Sequence, residues 1–380
     1  MPPSKGAIMN KATTPVRYWD YLQEYSAHRE QYLRVCDEVF SSGRLVLGSR
    51  LAAFERKFAD LCRVPHALGV ASGTDALFLA LKALDIGPED QVVTVANTAV
   101  PTVAAIRATG ATPVFADVEE ESFLLDVTKL ESSITRRTRC ILPVHLFGQM
   151  ADMPPLLEIA GRHGLSVVED CAQACGATCH GHRAGSLGDI GAFSFYPTKV
   201  LGAFGDGGMV TSSRPELQER LRRLRFYGMQ SGYYAEEEGY NSRLDELQAA
   251  LLDAKLDRLE EAVGLRRRIA EIYHQGLSGV GDVRIPAVRP GRTHQYYLYT
   301  IRTGSRDALM EYLAGQGIET KVNYPDPIHL MRGYSFLGYQ PGSLPVTERL
   351  AGSILSLPMY PELPEEHAAA VVAAVRRFFA

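Results

Sequence analysis

Apolar residues recur along this chain in two periods that take turns. Leu51, Phe54, Phe58 and Leu61 stand at helical spacing, His66 to Ala71 is a short apolar run, and Leu77 to Leu84 is helical again. Val92 to Val95, a small-residue helix through Ala104, Ala105 and Ile106, the run Val114 to Ala116, the run Cys140 to Val144, a further helical stretch and Ser166 to Val168 continue the alternation. Strands that are apolar throughout are buried on both faces, and the helices between them act as crossovers. The pattern therefore predicts an α/β chain with a parallel sheet covered on both sides, whose ligands gather at the carboxyl ends of the strands.

After Asp189 the pattern changes. Ile190 to Phe195 and Gly208 to Thr211 read as two strands bracketing a glycine-rich turn, and Leu244 to about Tyr273 as one long helix. The run Arg266, Arg267, Arg268 on that helix reads as a solvated face. Beyond Gly276, strand-like Tyr296 to Ile301, a helix from Arg306, a strand near Ile318, a Pro- and Tyr-rich loop and a terminal helix after Pro364 predict a smaller α+β domain. The expected organisation is a disordered tail over 1–13, a large domain over 14–255 and a small one over 256–380, within the two or three domains that 380 residues allow at about 150 each.

Lys plus Arg number 40 against 44 Asp plus Glu, a net charge of −4. That balance lacks the cation surplus that holds proteins to phosphate backbones, so no nucleic-acid partner is expected. No apolar run approaches the roughly 18 residues of a membrane span, and no apolar segment of a secretory signal follows Met1. The expectation is a cytoplasmic protein without a membrane partner. The 6 cysteines are too dilute for a disulfide framework. Cys171, Cys175 and Cys179, with His180 and His182 nearby, lack the second ligand pair of a structural zinc site, so no metal is expected.

Three stretches carry candidate chemistry. Ser72, Gly73, Thr74 and Asp75 stand where a strand gives way to a helix, and the free N–H groups there suit an anion; an ordinary Ser cap is the alternative. No glycine signature of a dinucleotide or nucleoside triphosphate site occurs. Asp170 lies just past an apolar strand, where a carboxylate can pair with a cationic heterocycle such as protonated pyridoxal phosphate, or simply cap a loop. Lys199 lies among apolar residues and glycines between Phe193 and Gly208. Desolvation favours a neutral amine that attacks carbonyls, and a surface lysine is the plain alternative.

In this order and spacing the three stretches resemble the DegT/DnrJ/EryC1/StrS sugar aminotransferases. The resemblance runs from about Leu45 to the C-terminus and is most specific over Ser194 to Gly208, Gly239 to Ala250 and Tyr324 to Leu330. It implies the fold type I architecture of aspartate aminotransferase and the cofactor pyridoxal 5'-phosphate, alternating with pyridoxamine phosphate. By the same resemblance Lys199 would hold the cofactor covalently and shuttle protons, Asp170 would pair with the ring nitrogen, and Gln173 would bond the ring hydroxyl. Gly73, Thr74 and Ser194 would hold the phosphate, joined by Asn241 from the second subunit of a homodimer, and Tyr324 and His329 would contact the nucleotide-sugar.

Two positions depart from the family pattern. Ala99 stands where many relatives place an aromatic over the cofactor ring, and Val200 where Asn is common after the lysine. The implied reaction moves an amino group from L-glutamate to C4 or C3 of a dTDP-linked keto-deoxysugar. A sugar dehydratase of the family would carry His in place of Lys199. A cofactor-binding regulator without turnover is the other reading, and the presence of both Asp170 and Lys199 weighs against it.

Overall fold

The computed structural model describes residues 15–230 and 232–380; the tail expected over 1–13 lies outside the described residues. The apolar runs of the first half form β1 (His66–Val70), β2 (Gln91–Val95), β3 (Thr112–Ala116), β4 (Thr138–Ile141) and β5 (Ser166–Asp170). Two helices precede them, α1 (Tyr21–Ser41) and α2 (Ser49–Cys62), and α3 (Gly73–Ala83), α4 (Val100–Ala108) and α5 (Met153–His163) are the crossovers. A short hairpin, β6 (Thr178–Cys179) and β7 (His182–Arg183), leads to β8 (Ile190–Ser194), β9 (Gly208–Ser212) and α6 (Pro215–Leu224).

The central sheet has seven strands in the order β1-β9-β8-β5-β4-β2-β3. It is mostly parallel, but β9 runs antiparallel to both neighbours. Gly208 is therefore paired with Val70 on one side and Ser194 on the other, which brings the ends of β1 and β8 and the start of β9 to one edge. Beneath the sheet, rings fill the space against α2: Phe58 meets Phe193 edge-on with centroids 4.9 Å apart, and Phe54 meets Phe195 at 5.5 Å.

The expected long helix is two, α7 (Glu246–Leu256) and α8 (Leu259–Leu277). The break lets one stretch serve two cores: Leu252, Leu256, Leu259 and Val263 pack with the sheet, whereas Ile269, Tyr273 and Leu277 pack with a second cluster. That cluster gathers Val16, Ile301, Leu355 and Val371, drawn from the start of the described chain, from β10 (Tyr299–Arg302) and from elements near the C-terminus. After β10 come α9 (Arg306–Gly315), α10 (Pro345–Ser353), β11 (Ile354–Leu357), paired antiparallel with β10, and α11 (Glu365–Phe379).

Arg266 corrects the reading of its run as a solvated face. It is 2% exposed and donates to the carbonyls of Tyr296 at 3.2 Å and Met359 at 3.1 Å. Burial brings its pKa down to about 10. Among the described residues no helix is long and apolar enough to cross a membrane.

Candidate active site

The carboxyl edge of the sheet collects most of the residues singled out above. β1 ends at Val70, and Ser72 caps α3 by accepting from the N–H of Asp75 at 3.1 Å. The N–H of Ala76 returns to the Ser72 carbonyl, which leaves those of Gly73 and Thr74 as donors that the helix cannot use. A Cβ on Gly73 would stand 2.5 Å from the Cβ of Ser194. The end of β8 is thus laid on the first turn of α3, and any side chain at position 73 would fill the space between them. Two free N–H groups at a helix N-terminus, with the hydroxyls of Thr74 and Ser194 beside them, make a cradle for an anion.

Asp170 ends β5 and is 4% exposed. Its Oδ2 accepts from the Thr102 hydroxyl at 2.8 Å and its Oδ1 from the Ala172 N–H at 3.1 Å. Thr102 is bonded in turn to Thr98 at 2.9 Å; with Thr102 donating to the carboxylate, Thr98 is the donor of that second bond. Burial pushes the Asp170 carboxyl above its ordinary value, against the Thr102 and Ala172 bonds and the nearby Lys199 charge. A carboxylate with so few donors in so dry a place is short of positive charge.

Lys199 sits in the connection between β8 and β9, its N–H bonded to the Tyr196 carbonyl at 2.8 Å. Its Nζ lies 4.6 Å from the centroid of the Tyr297 ring. Gln173 accepts from the Phe147 N–H at 2.8 Å and donates to the Tyr324 hydroxyl at 3.1 Å. Burial, with Tyr297 next, raises the Tyr324 hydroxyl well above its ordinary value, so it remains a protonated phenol at neutral pH.

The fold thus brings Gly73 and Ser194 into contact, joins Gln173 to Tyr324, and sets Asp170 within the field of Lys199. The bonds of Asn241 and His329 go elsewhere. Asn241 is exposed and bridges Phe226, while the adjacent Ser242 donates to Asp75 at 2.7 Å and accepts from the Ala71 N–H at 3.2 Å. His329 is 1% exposed, pairs through Nε2 with Glu348 at 3.1 Å and packs beside Tyr339; its Nδ1 has no partner among the described residues. Ala99 is the half-buried cap of α4. Cys171, Cys175 and Cys179 are buried thiols, and Glu169 beside Cys171 spends its carboxylate on His145 and on the N–H groups of Gly185, Leu187 and Gly188.

Sequence reasoning missed Thr102 and Tyr297. Thr102 lies in a helix of small residues and Tyr297 in an aromatic run, and neither pattern distinguishes a packing residue from one that meets the site. The assembled set fits pyridoxal phosphate: an anion cradle, a buried carboxylate short of positive charge, and an amine in the connection that leaves β8.

The chain is similar to known proteins along most of its length. The sequence profile of the DegT/DnrJ/EryC1/StrS aminotransferase family matches residues 26–376. A dTDP-3-amino-3,4,6-trideoxy-alpha-D-glucose transaminase from Micromonospora megalomicea subsp. nigra is 48% identical over 363 residues, which are 94% of this chain and 97% of that protein. A pleiotropic regulatory protein from Geobacillus stearothermophilus is 43% identical over 362 residues, 95% of this chain and 97% of that one. The crystal structure of S. venezuelae DesV in complex with a ketimine intermediate is similar with a TM-score of 0.95 and 45% identity, covering 96% of this chain and 99% of the other.

Proposed function

Since the chain belongs to the DegT/DnrJ/EryC1/StrS aminotransferase family, whose cofactor is pyridoxal phosphate, we propose that it moves an amino group from L-glutamate to a keto carbon, C3 or C4, of a dTDP-linked keto-deoxysugar. The observation that carries this reading is the buried Asp170 carboxylate at the sheet's carboxyl edge, held by Thr102 and Ala172 but short of positive charge, on the strand next to the one that leads to Lys199. The name of the 48% identical relative supports a dTDP sugar and makes C3 the first position to test.

When bound, the cofactor supplies an electron sink through which nitrogen passes in two half-reactions. The N–H groups of Gly73 and Thr74 and the Ser194 hydroxyl hold its phosphate, and Asn241 is contributed by the second subunit of a homodimer. Asp170 keeps the ring nitrogen protonated, because a carboxylate in a dry site favours the cation beside it. Gln173 has one N–H committed to Tyr324 and the other free for the ring hydroxyl. Lys199 holds the cofactor covalently between turnovers. Once free, its Nζ takes the proton from the carbon that carries the nitrogen, and returns one in the opposite half-reaction. Tyr324 donates to the nucleotide-sugar, and His329, locked to Glu348, steadies the loop that follows Tyr324. In this reading residues 14–255 form the cofactor domain and 256–380 the smaller one, in a cytoplasmic enzyme.

The name of the G. stearothermophilus relative favours a second reading, a cofactor-binding regulator. One experiment separates the two. The purified protein is incubated with pyridoxal phosphate, L-glutamate and a panel of 3-keto and 4-keto nucleotide-sugars, and aminated sugar is detected by mass spectrometry. Product from a dTDP-linked member is expected. A protein that binds the cofactor yet aminates none of the panel would be the regulator.

A further inference from the structure

Tyr297 meets the Lys199 region twice. Its ring lies under Nζ at 4.6 Å, and its hydroxyl is bonded at 3.2 Å to that of Thr198, the residue before the lysine. The ring stands on main chain that is itself fastened. The Gly148 carbonyl accepts from the Gln295 N–H at 2.8 Å, the Phe147 carbonyl from the Leu298 N–H at 3.3 Å, and the buried Arg266 donates to the carbonyl of Tyr296. Gly148 has φ +116°, and a Cβ there would stand 2.8 Å from the Tyr296 nitrogen, so only glycine lets the two segments lie this close. Phe147 is anchored in turn by its N–H bond to Gln173. The platform under the amine is thus tied to the residue expected at the cofactor's ring hydroxyl.

We propose that Tyr297 is a positioning residue for Lys199: its ring face fixes Nζ and favours the protonated amine. This rests on Lys199 being the lysine that holds the cofactor. The face of an aromatic ring is negative and attracts a cation, more so where water is partly excluded. A lysine that takes a proton from carbon and returns it works as the stronger base when its ammonium form is supported. A ring gives that support without accepting the proton, as a carboxylate in the same place would.

Other charges also act on Lys199. Asp170 at the end of β5 interacts electrostatically with it. The cavity that Lys199 shares with α1, α7 and α8 carries the carboxylates of Asp20, Glu24, Glu261 and Glu362, the bases Lys255, Arg258 and Arg266, and the imidazole of His28. All of these stay constant when only the electron density of the ring at position 297 is changed, so a comparison of rings of one shape isolates the ring's share.

The test loads the protein with pyridoxamine phosphate, which leaves Lys199 as a free amine, and measures acetic anhydride labelling of Lys199 against pH by peptide mass spectrometry. Wild type is compared with Tyr297→Phe and with 3,4,5-trifluorophenylalanine incorporated at position 297, which keeps the shape and withdraws the ring's negative face. We expect Tyr297→Phe to follow wild type. The fluorinated ring should move the labelling curve to lower pH by roughly 0.4 to 1.5 units, the span of ordinary cation–π strengths. Coincident curves for the two rings, or a shift to higher pH, would overturn the proposal. Borohydride reduction of the wild-type protein loaded with pyridoxal phosphate separates this failure from that of the functional reading. A tag on another residue sinks the reading itself, whereas a tag on Lys199 with coincident curves removes only the role of Tyr297.

Discussion

The hydroxyl of Thr102 donates to Oδ2 of Asp170 at 2.8 Å, joining the first turn of α4 to the end of β5. The bond is buried, and behind it Thr98 completes a short chain of hydroxyls. One hydroxyl on the first turn of α4, backed by another from just before the helix, thus supports a carboxylate whose only other donor is the Ala172 N–H among the described residues.

That relationship predicts the behaviour of Thr102→Val, which keeps the shape and removes the donor. A hydrogen bond to a charged group contributes about 1.5–3 kcal/mol, so the turnover rate should fall roughly ten- to a hundredfold. The sign of the pH effect follows from the direction of the shift. Burial already raises the Asp170 carboxyl and Thr102 opposes it, so the variant should protonate Asp170 at higher pH and lose activity earlier on acidification. Profiles of kcat against pH for the two proteins check this; superimposable profiles would assign the tuning to another group.

Gly73→Ala tests the anion cradle. A helical position ordinarily gains about 1 kcal/mol from this change, but here the new Cβ would stand 2.5 Å from the Ser194 Cβ. We expect the folded protein to persist and its affinity for pyridoxal phosphate, read by equilibrium dialysis, to drop at least about tenfold. Unchanged affinity would show that the phosphate lies elsewhere.

A shared active site predicts complementation. Lys199→Ala and Asn241→Ala should each be inactive, and mixing them under subunit exchange should restore about a quarter of wild-type activity, since half the dimers are mixed and each has one intact site. Mixed dimers verified by mass spectrometry that stay inactive, with both parents folded, would place Asn241 outside the partner's site.

Asp117 predicts a pH-dependent stability. It follows β3 and accepts from the N–H groups of Val346 and Thr347 at 3.0 and 2.9 Å and from the Thr347 hydroxyl at 2.8 Å, capping α10. Burial alone would raise this carboxyl; the bonds outweigh it and hold it below its ordinary 3.8. The stabilisation is therefore fully present above that value and is lost as pH falls through the lower folded value. Asp117→Asn should melt at a lower temperature than wild type at pH 7, by an amount corresponding to about 1–3 kcal/mol, and the gap should narrow below about pH 4. A gap independent of pH would mean that the charge contributes nothing.

The strands of the sheet were readable because runs such as Val92 to Val95 and Ser166 to Val168 are apolar on both faces. Asp170 and Lys199 stand out as candidates in the sequence because a charge beside such runs is costly unless chemistry or a partner requires it. Three features were not. The antiparallel placement of β9 depends on which edge β1 takes, and nothing local to Gly208–Ser212 encodes that. Thr102 and Tyr297 act across long separations on residues that sequence spacing does not connect. Arg266 looked solvent-facing because its neighbours Arg267 and Arg268 are charged, whereas the carbonyls of Tyr296 and Met359 that receive it come together only when the second core has assembled.

The double pairing of Gly208 bears on how the protein becomes active. The cradle and the lysine connection are both set by the register of β9 against Ser194 of the preceding strand and against Val70, which comes from a distant part of the chain. A slip of one residue would turn every side chain of β9 to the other face and carry the lysine connection away from the first turn of α3. Closing so long a loop is entropically slow and is repaid only when the whole edge is in place. Acquisition of the cofactor's colour during refolding should therefore lag behind the appearance of helical and sheet signals, making the bound cofactor a reporter of the last strand to dock rather than of collapse.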